Sequence, residues 1–209
     1  MEPYHKVQTV WLRDPNTKYK TLLRGEWALP EFAYLADSEW VWTEKVDGTN
    51  IRVMFDHGNI LFGGRTDNAQ LPAPLVQRLQ DRFFGSELIS EMFPCGACLY
   101  GEGYGAKIQK GGGNYRPDQD FVLFDVRVGE WWLQRKDVKE VASKMGLDIV
   151  PIIGCGTLHE MIDHTAAAFQ STWGEFDAEG VVARPATELR TRCGHRIITK
   201  IKLKDFEDT

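Results

Sequence analysis

The sequence predicts an α+β protein in which mainly antiparallel sheets are flanked by helices. Short apolar runs rich in β-branched and aromatic residues lie at 40–45 and 51–56, and Asp47-Gly48 supplies turn chemistry between them. Helical periodicity is limited to a few segments, and strands and helices do not alternate as a regular βαβ series. These three observations are typical of antiparallel sheets with helices between the strands.

Each further element is predicted from a local pattern. A helix shows apolar residues on one face and a stop residue at its end, whereas a strand shows a short apolar run bounded by turn residues. Residues 1–39 predict strands and turns. In chain order we then expect a hairpin turn at 57–59 leading into a strand at 60–62, helical pieces within 71–93 interrupted near Gly85, strands at 97–104 and 121–128, a mobile glycine-rich loop at 110–114, helices at 135–145 and from Thr157 to about Gln170, and strands at 179–184 and 197–203.

Length and composition predict an ordinary globular protein. With 209 residues, of which 43% are hydrophobic, the chain can bury a substantial core and suits a single domain over residues 1–209. No apolar stretch approaches the ~20 residues that span a bilayer, and the N-terminus lacks a signal-peptide pattern. Only four cysteines are present, so we expect a cytoplasmic protein, or one in the host cytoplasm if the source is viral, with no membrane partner.

The charge distribution is uneven. A formal charge of −5 argues against a protein that coats nucleic acid nonspecifically, but it leaves room for a local basic groove. One stretch near the C-terminus is a candidate for phosphate contact. It contains Arg190, Arg192, His195, Arg196, Lys200, Lys202 and Lys204.

Lys45 lies at the predicted end of a strand. A lone lysine is most often a solvated surface charge, but one in a suitable pocket can act as a nucleophile. A free lysine amine has a pKa of ~10.4, so about one molecule in two thousand is neutral at pH 7. A nucleophilic role therefore needs surroundings that favour the neutral amine, such as desolvation and neighbouring cations.

Six short motifs occur in a fixed order along the chain. Each is weak alone, but the ordered set resembles the covalent nucleotidyltransferases, which include ATP-dependent polynucleotide ligases and mRNA capping enzymes. The sequences of residues 44–50 and 107–111 most resemble those of phage-type RNA ligases that seal nicks in duplex RNA. The motifs are 44–50 (EKVDGTN), 64–66 (GRT), 100–105 (YGEGYG), 120–125 (DFVLFD), 179–184 (EGVVAR) and 201–204 (IKLK).

This resemblance implies a nucleotidyltransferase fold, the ATP-grasp-like adenylation domain of ligases. It implies an ATP-dependent RNA ligase that joins 5′-phosphate and 3′-hydroxyl ends in RNA repair through a lysine-AMP and an adenylylated RNA, with Mg²⁺ or Mn²⁺. The alternatives are a DNA ligase, a capping guanylyltransferase with the same lysine chemistry, and a noncatalytic nucleic-acid-binding relic. The expected partner is RNA with these ends, as a nicked duplex. Members commonly carry a C-terminal accessory domain; none is expected here, so a missing domain or partner protein could complete the enzyme.

The resemblance also assigns the catalytic residues. Lys45 would attack the α-phosphate of ATP, and Glu179 would bind the divalent metal. Lys202 and Lys204, expected on one face of a strand, would contact the nucleotide phosphates. Lys200 shares that face and is the competing assignment. Lysines that decorate an edge strand, and a solvated glutamate at a strand end, are the purely structural alternatives.

Four polar residues are nucleotide-binding candidates by the same resemblance. Glu44 would read the adenine amino group, and Asn50 would help to position the nucleotide. Arg65 would reach ribose or phosphate oxygens, and Glu102 the ribose. A surface salt bridge for Arg65 and a tight-turn position for Glu102 are the alternatives.

Phe124 is the candidate for stacking on adenine. Phe121 and Phe124 are three apart in a predicted strand and therefore face opposite sides of the sheet. We expect one of them in the core. The resemblance favours Phe124 as the adenine contact, although an isolated phenylalanine is more often a core residue.

Overall fold

The secondary structure is a mixture of strands and helices, which confirms the α+β prediction. The structure is a computed structural model that describes residues 2–207. The strands are β1 (Gln8–Thr9), β2 (Trp11–Arg13), β3 (Leu22–Trp27), β4 (Trp40–Glu44), β5 (Thr49–Asp56), β6 (Asn59–Gly63), β7 (Ala97–Gly105), β8 (Gln119–Val128), β9 (Trp131–Trp132), β10 (Asp148–Ile149), β11 (Ile152–Gly156), β12 (Gly180–Pro185) and β13 (Thr199–Lys202). The helices are α1 (Pro30–Tyr34), α2 (Ala73–Phe83), α3 (Glu87–Met92), α4 (Gly112–Tyr115), α5 (Arg135–Met145) and α6 (Leu158–Ala166), with 3₁₀ turns at Pro15–Thr17 and Leu203–Asp205.

The described residues form two compact units. Unit 1 comprises residues 2–5 and 47–150, and unit 2 comprises residues 6–46 and 151–207. Between residues 2 and 207, no helix is both long and apolar enough to cross a membrane.

Unit 1 is built on a sheet with the strand order β10-β8-β7-β5-β6, and β9 pairs with β8. Its strand pairs are antiparallel except β10 with β8. The apolar stripes of α2 and α5 share one core with the strands, because each helix buries one face and exposes the other. Core residues include Ile51, Val53, Leu75, Leu79, Phe83, Leu99, Phe121, Leu123, Val138 and Val141.

Unit 2 contains a second sheet with the order β1-β13-β12-β4-β11, and β2 and β3 form a separate antiparallel pair. Strands β13, β12, β4 and β11 are antiparallel to their neighbours, whereas β1 is parallel to β13. Helix α6 contributes to the core of this unit. Core residues include Phe32, Trp40, Trp42, Leu158, Met161, Val181, Ala183 and Ile201.

The start of α6 follows the prediction, but its end does not. Thr157 and Glu160 form the predicted capping box, in which the Thr157 side chain accepts a hydrogen bond from the Glu160 amide. The expected extension to Gln170 is wrong, because the helix ends at Ala166 and Ala168 has a left-handed φ of 56°. Gln170 instead forms an isolated antiparallel bridge with Asp177.

The glycine-rich run was expected to be a loop, and this expectation is wrong. Residues 112–115 form the short helix α4, and the Gly112 amide donates to the carbonyl of Gln109. A Cβ on Gly112 would lie 2.0 Å from the carbonyl oxygen of Gly105. The glycine therefore allows close packing of this turn on the end of β7, rather than loop mobility.

A buried carboxylate ties α2 to the start of β8. The side chain of Asp120 is 1% exposed, and its Oδ2 accepts hydrogen bonds from Arg78 (3.0 Å), Arg82 (2.7 Å) and Arg116 (2.6 Å). Its Oδ1 accepts from the amide of Phe121. Burial opposes ionisation of Asp120, but hydrogen bonds from Arg78 and Arg82 outweigh burial and lower the pKa of this carboxyl.

Replacing Asp120 by Asn should destabilise the protein by about 2–4 kcal/mol at pH 7, because three guanidinium groups lose their shared carboxylate. The pKa is depressed in the folded state, so the stabilisation is fully present above the unfolded-state pKa of ~3.9. It is lost as the pH falls through the folded-state pKa. Urea unfolding of the wild type and Asp120→Asn at pH 7 and below about pH 4 checks both statements.

The matched control is Asp81→Asn, since Asp81 is exposed and accepts a hydrogen bond only from the Gln77 side chain among the described contacts. This variant should differ from the wild type by no more than about 0.5 kcal/mol. Equal stability of Asp120→Asn and Asp81→Asn at pH 7 would contradict the role given to the buried carboxylate.

Candidate active site

Lys45 immediately follows β4, as predicted for a lysine at a strand end. The apolar and aromatic residues of β4 place the strand in the middle of the unit 2 sheet, between β12 and β11. The Lys45 amide donates to the carbonyl of Gly180 at 2.9 Å. This backbone contact fixes the lysine against the first residue of β12.

The strand order brings together three residues that are distant in sequence. Strand β12 is antiparallel to both of its neighbours, so its first residues meet the last residues of β4 and β13. In the observed register, Gly180 lies opposite Lys202 and Val181 lies opposite Glu44. Glu179, Lys45 and Lys202 consequently share one end of the sheet.

Glu179 binds both lysines. Its Oε2 lies 2.5 Å from Nζ of Lys45, and its Oε1 lies 2.5 Å from Nζ of Lys202. The three side chains are 14%, 18% and 20% exposed, respectively, so the ion pairs are largely shielded from solvent. We call this group the lysine-glutamate triad. It carries a formal charge of +1.

Gly180 allows the strands to approach at this point. It has a φ of +151°, and a Cβ at this position would lie 2.2 Å from the carbonyl oxygen of Ile201 and 2.6 Å from Cα of Lys202. Only glycine fits such an approach without moving a backbone. The small residue after Glu179 is therefore part of how the triad is assembled.

The predicted strand position of Lys204 is wrong. Strand β13 ends at Lys202, and Lys204 lies in the 3₁₀ turn Leu203–Asp205, where its side chain is exposed. The chain turns here because the Asp205 carboxylate accepts a hydrogen bond from the Lys202 amide. The two lysines that share one face of β13 are Lys200 and Lys202, which alternate with buried residues. Lys200 is the competing assignment named from the sequence.

Glu44 has a buried carboxylate with three donors. Its Oε1 accepts from Oγ of Ser171 (2.6 Å), and its Oε2 accepts from the amide (2.9 Å) and Oγ1 (2.8 Å) of Thr172. The residue is 1% exposed. Sequence reasoning missed Ser171 and Thr172, because nothing local marks two hydroxyl residues 127 and 128 positions away as partners of Glu44.

In unit 1, two nucleotide-binding candidates lie on neighbouring strands. Asn50 on β5 is the direct cross-strand partner of Glu102 on β7. Oδ1 of Asn50 is buried and accepts no hydrogen bond from the described residues. An unpaired buried acceptor costs about 1–3 kcal/mol, so this position suits a donor from a ligand.

The turn that leads into β5 is held by two side chains that sequence reasoning did not assign. The Asp47 amide donates to Oη of Tyr115 at 3.1 Å, and Nε2 of Gln109 donates to the Gly48 carbonyl at 3.0 Å. The sequence marks the run 107–111 only through its resemblance to phage-type RNA ligases. Through Gln109, this run supports the backbone inside the 44–50 motif.

Phe124 lies at a β-bulge. The pairing of β7 with β8 shifts between Tyr100 and Gly101, so that Phe124 has no direct partner in the register. As predicted, Phe121 is buried in the core, whereas Phe124 is half-buried and outside it. Strand alternation already points Phe124 away from the core that holds Phe121 and Leu123, and the bulge returns Val126 to that core.

Arg65 is exposed and follows a segment anchored by Arg52. The fully buried Arg52 donates through Nε to the carbonyl of Gly64 at 2.8 Å and through Nη2 to Oδ1 of Asp67 at 2.6 Å. The first bond fixes the backbone just before Arg65, and the second ties the side chain of Asp67 to the same guanidinium. The guanidinium of Arg65 is thus accessible on a constrained loop.

The four cysteines show no sign of a metal centre. Cys98 is buried, and burial raises the pKa of its thiol to about 11. Cys95, Cys155 and Cys193 are exposed. Within the described part of the chain, no group of three or more His, Cys, Asp or Glu residues is arranged to hold a metal ion.

Comparison with known proteins identifies the family. A family model described as RNA ligase matches residues 38–202, which include β4, the triad and every strand of the unit 1 sheet. The chain belongs to the RNA ligase family. This membership confirms the resemblance drawn from the six motifs. No curated protein sequence matches the chain.

Solved structures of an RNA ligase from Naegleria gruberi share the fold. An apo variant has a TM-score of 0.69 at 17% identity, covering 96% of this chain and 55% of that one. A variant with ATP and Mn has a TM-score of 0.69 at 15% identity, covering 96% and 56%. A variant with AMP and Mn has a TM-score of 0.65 at 17% identity, covering 83% and 52%. The chain spans about half the length of those structures.

Replacing Gly180 by Ala should lower stability by at least about 2 kcal/mol and disturb the triad, because the new Cβ meets the backbone of β13. Thermal unfolding followed by circular dichroism measures the loss. Gly113→Ala is the control, since a Cβ there has nothing within 4 Å and the residue lies in α4. A Gly180→Ala protein as stable as the Gly113→Ala protein would contradict the close approach of β12 and β13.

Proposed function

We propose that this RNA ligase family member is an ATP-dependent RNA ligase that carries AMP on Lys45. The lysine-glutamate triad supports this proposal most directly. A lysine in the family's matched region is held at the end of a central strand, with a carboxylate and a second lysine fixed beside it. A solvated surface lysine has no need of this arrangement.

The proposed chemistry proceeds through three displacements at phosphorus. Nζ of Lys45 attacks the α-phosphorus of ATP, a P–N bond forms, and pyrophosphate leaves with the broken P–O bond. The 5′-phosphate of RNA then attacks the lysine-bound phosphorus, which releases Lys45 and forms a P–O–P linkage to AMP. The 3′-hydroxyl finally attacks the 5′-phosphorus, loses its proton, and expels AMP.

Glu179 has to exchange partners during this sequence. The contact with Lys45 is an ion pair of the ammonium, whereas the attacking species is the neutral amine, so Lys45 must leave Glu179 and lose a proton first. Lys202 is placed to stay near the reacting phosphate, where its positive charge stabilises the charge that develops during displacement.

Once Lys45 has left Glu179, the freed Oε2 would suit a divalent cation whose coordination is completed by the substrate. One carboxylate, Glu179, lies at the triad, and Mg²⁺ is commonly bound by one or two carboxylates together with substrate phosphates. A cation bound there would neutralise phosphate charge as the P–O bond breaks. The Naegleria gruberi structures with ATP or AMP contain Mn, which makes Mn²⁺ a second choice beside Mg²⁺.

Four residues of unit 1 are proposed to bind the nucleotide. Asn50 offers an unpaired buried acceptor, and Glu102 is its cross-strand neighbour. Phe124 lies outside the core on the face opposite Phe121, which suits a ring that stacks on adenine. Arg65 suits ribose or phosphate oxygens, whereas Glu44 is already bonded to Ser171 and Thr172 and is better placed to brace β4 than to read adenine.

The RNA substrate and the overall organisation are also proposals. RNA with 5′-phosphate and 3′-hydroxyl ends, presented as a nick in a duplex, is the substrate suggested by the family. Residues 1–209 are proposed as one nucleotidyltransferase domain. An accessory domain or partner protein would then bear on the choice of RNA ends, since this chain spans about half of the related structures.

Incubation with α-labelled ATP and Mg²⁺ or Mn²⁺ should attach the label covalently to the wild type. Lys45→Ala should form no adduct, because it lacks the attacking amine. Lys139→Ala, which removes an exposed lysine of α5, should form the adduct as the wild type does. Denaturing gel electrophoresis with autoradiography provides the measurement.

The same assay separates the alternatives. Labelling by GTP instead of ATP would indicate a capping enzyme, and sealing of a nicked DNA duplex but not of the matched RNA duplex would indicate a DNA ligase. Tight binding of a nicked duplex by wild type that forms no adduct with either nucleotide would indicate a noncatalytic binding protein and refute the proposal.

Two assignments of the phosphate-binding lysines, Lys200 with Lys202 or Lys202 with Lys204, predict different effects of substitution. Lys200→Ala and Lys202→Ala should each slow adduct formation by about 10²-fold or more, the scale expected when a charge that stabilises a transition state is removed. Lys204→Ala should remain near the wild-type rate, because its side chain is exposed beyond the strand. Single-turnover rates at saturating ATP decide this. A slow Lys204→Ala protein with a normal Lys200→Ala protein would restore the original assignment of Lys202 with Lys204.

A further inference from the structure

The basic stretch near the C-terminus is divided by the fold. Lys200 and Lys202 lie on β13 at or near the triad, whereas the arginines before them lie in the connection from β12 to β13. Strand β12 leaves the triad at Gly180 and ends at Pro185, a run of about 17 Å at ~3.3 Å per residue. The connection therefore lies at the opposite end of these strands from the triad. We call residues 188–197 the basic hairpin.

Hydrogen bonds give the basic hairpin a defined shape. The Thr191 amide donates to the carbonyl of His195 at 2.7 Å, and the Gly194 amide donates to the carbonyl of Thr191 at 2.9 Å. The His195 amide donates to Oγ1 of Thr191 at 3.1 Å. Closer to the sheet, the Ile197 amide donates to the carbonyl of Leu189 at 3.0 Å. The segment is a closed turn with two short arms.

The charges of the basic hairpin are not balanced. Arg196 has a side chain only 3% exposed and forms an ion pair with Glu188, so these two charges neutralise each other. Arg190 and Arg192 are exposed, and among residues 2–207 neither has a carboxylate within ion-pair distance. The exposed His195 adds a further hydrogen-bond donor. The hairpin thus presents two uncompensated guanidinium groups on a protein whose net formal charge is −5.

Solvated arginines are common on protein surfaces. The position of Arg190 and Arg192 in the fold is what distinguishes a binding site from an ordinary surface feature here. These arginines are carried by a turn that is braced by a shielded Arg196–Glu188 pair. They also extend from the same two strands that hold Glu179 and Lys202. Arginine in a fixed position matches phosphate oxygens bidentately, and such contacts orient a nucleic acid without reading its sequence.

We propose that the basic hairpin binds the sugar-phosphate backbone of the RNA through Arg190 and Arg192, on the order of five nucleotides from the junction that is sealed. The distance follows from about 17 Å of strand and the ~3.4 Å phosphate spacing of B-form DNA, taken as the scale for an RNA duplex that runs along β12. The identity of the RNA as the ligated substrate rests on the proposed function; binding by the hairpin does not require catalysis.

The test is the salt dependence of RNA binding by the full chain. Fluorescence anisotropy with a labelled nicked RNA duplex, repeated over a series of KCl concentrations, gives the slope of log affinity against log salt. For Arg190→Ala/Arg192→Ala we expect affinity to fall by about tenfold at low salt, and the slope to shrink by about 1.8, since two phosphate contacts are lost. Arg190→Lys/Arg192→Lys should keep most of the slope because it keeps both charges.

The control is Lys136→Ala/Lys139→Ala, which removes two exposed charges from α5 and should leave affinity and slope unchanged. Duplexes with arms clearly shorter than about five nucleotides on both sides of the nick should bind wild type and the arginine-to-alanine variant equally. An unchanged slope in Arg190→Ala/Arg192→Ala, or an equal loss in the α5 control, would overturn the proposal.

Failure of the proposed function is distinguishable from failure of the hairpin proposal. Adduct formation on wild type is measured with ATP and no RNA, whereas the salt slope is measured with RNA and no ATP. A wild type that forms no adduct but shows the hairpin-dependent slope refutes the ligase proposal and supports the hairpin. The reverse result refutes the hairpin alone.

Discussion

The proposed active site depends on the two ion pairs that the carboxylate of Glu179 forms with Lys45 and Lys202. This carboxylate lies where β12 begins and binds one lysine from the end of each neighbouring strand, Lys45 after β4 and Lys202 at the end of β13. The antiparallel order of the three strands creates this meeting point, and Gly180 permits the close approach. Because one carboxylate holds both lysines, any event that redirects Glu179 changes the contacts of both at once. The triad therefore couples the proposed nucleophile to Lys202, the residue proposed to stabilise the reacting phosphate.

In unit 1, the candidate nucleotide-binding residues are positioned by strand geometry and by buried charges. Strand alternation points Phe124 away from the core that contains Phe121, and strand register sets Asn50 beside Glu102. Buried charges support the surrounding elements, with Arg52 fixing the loop around Arg65. These features are structural in their own right, and each also positions a side chain that the family resemblance links to the nucleotide. The fold and the candidate site are thus maintained by the same contacts.

Much of the fold could be predicted from local sequence because its signals are local. The apolar run before Lys45, the turn at Asp47-Gly48 and the capping box of α6 all depend on neighbouring residues. The errors occurred where a specific contact, rather than residue type or periodicity, decides the conformation. A run of glycines became a helix because Gly112 packs on Gly105, and β13 ended before Lys204 because Asp205 bonds to the Lys202 amide. The bonding of Glu44 to Ser171 and Thr172 could not be seen in a sequence that separates them by more than 120 residues.

The central claim is that Lys45, and not another lysine near the triad, becomes the carrier of AMP. Peptide mapping by mass spectrometry of wild-type protein incubated with ATP and Mg²⁺ or Mn²⁺ identifies the modified side chain directly. The account predicts a single adenylylated residue, Lys45. Adenylate found on Lys200, Lys202 or Lys204 instead would contradict it, because Lys200 and Lys202 are proposed to hold phosphate and Lys204 lies beyond the strand.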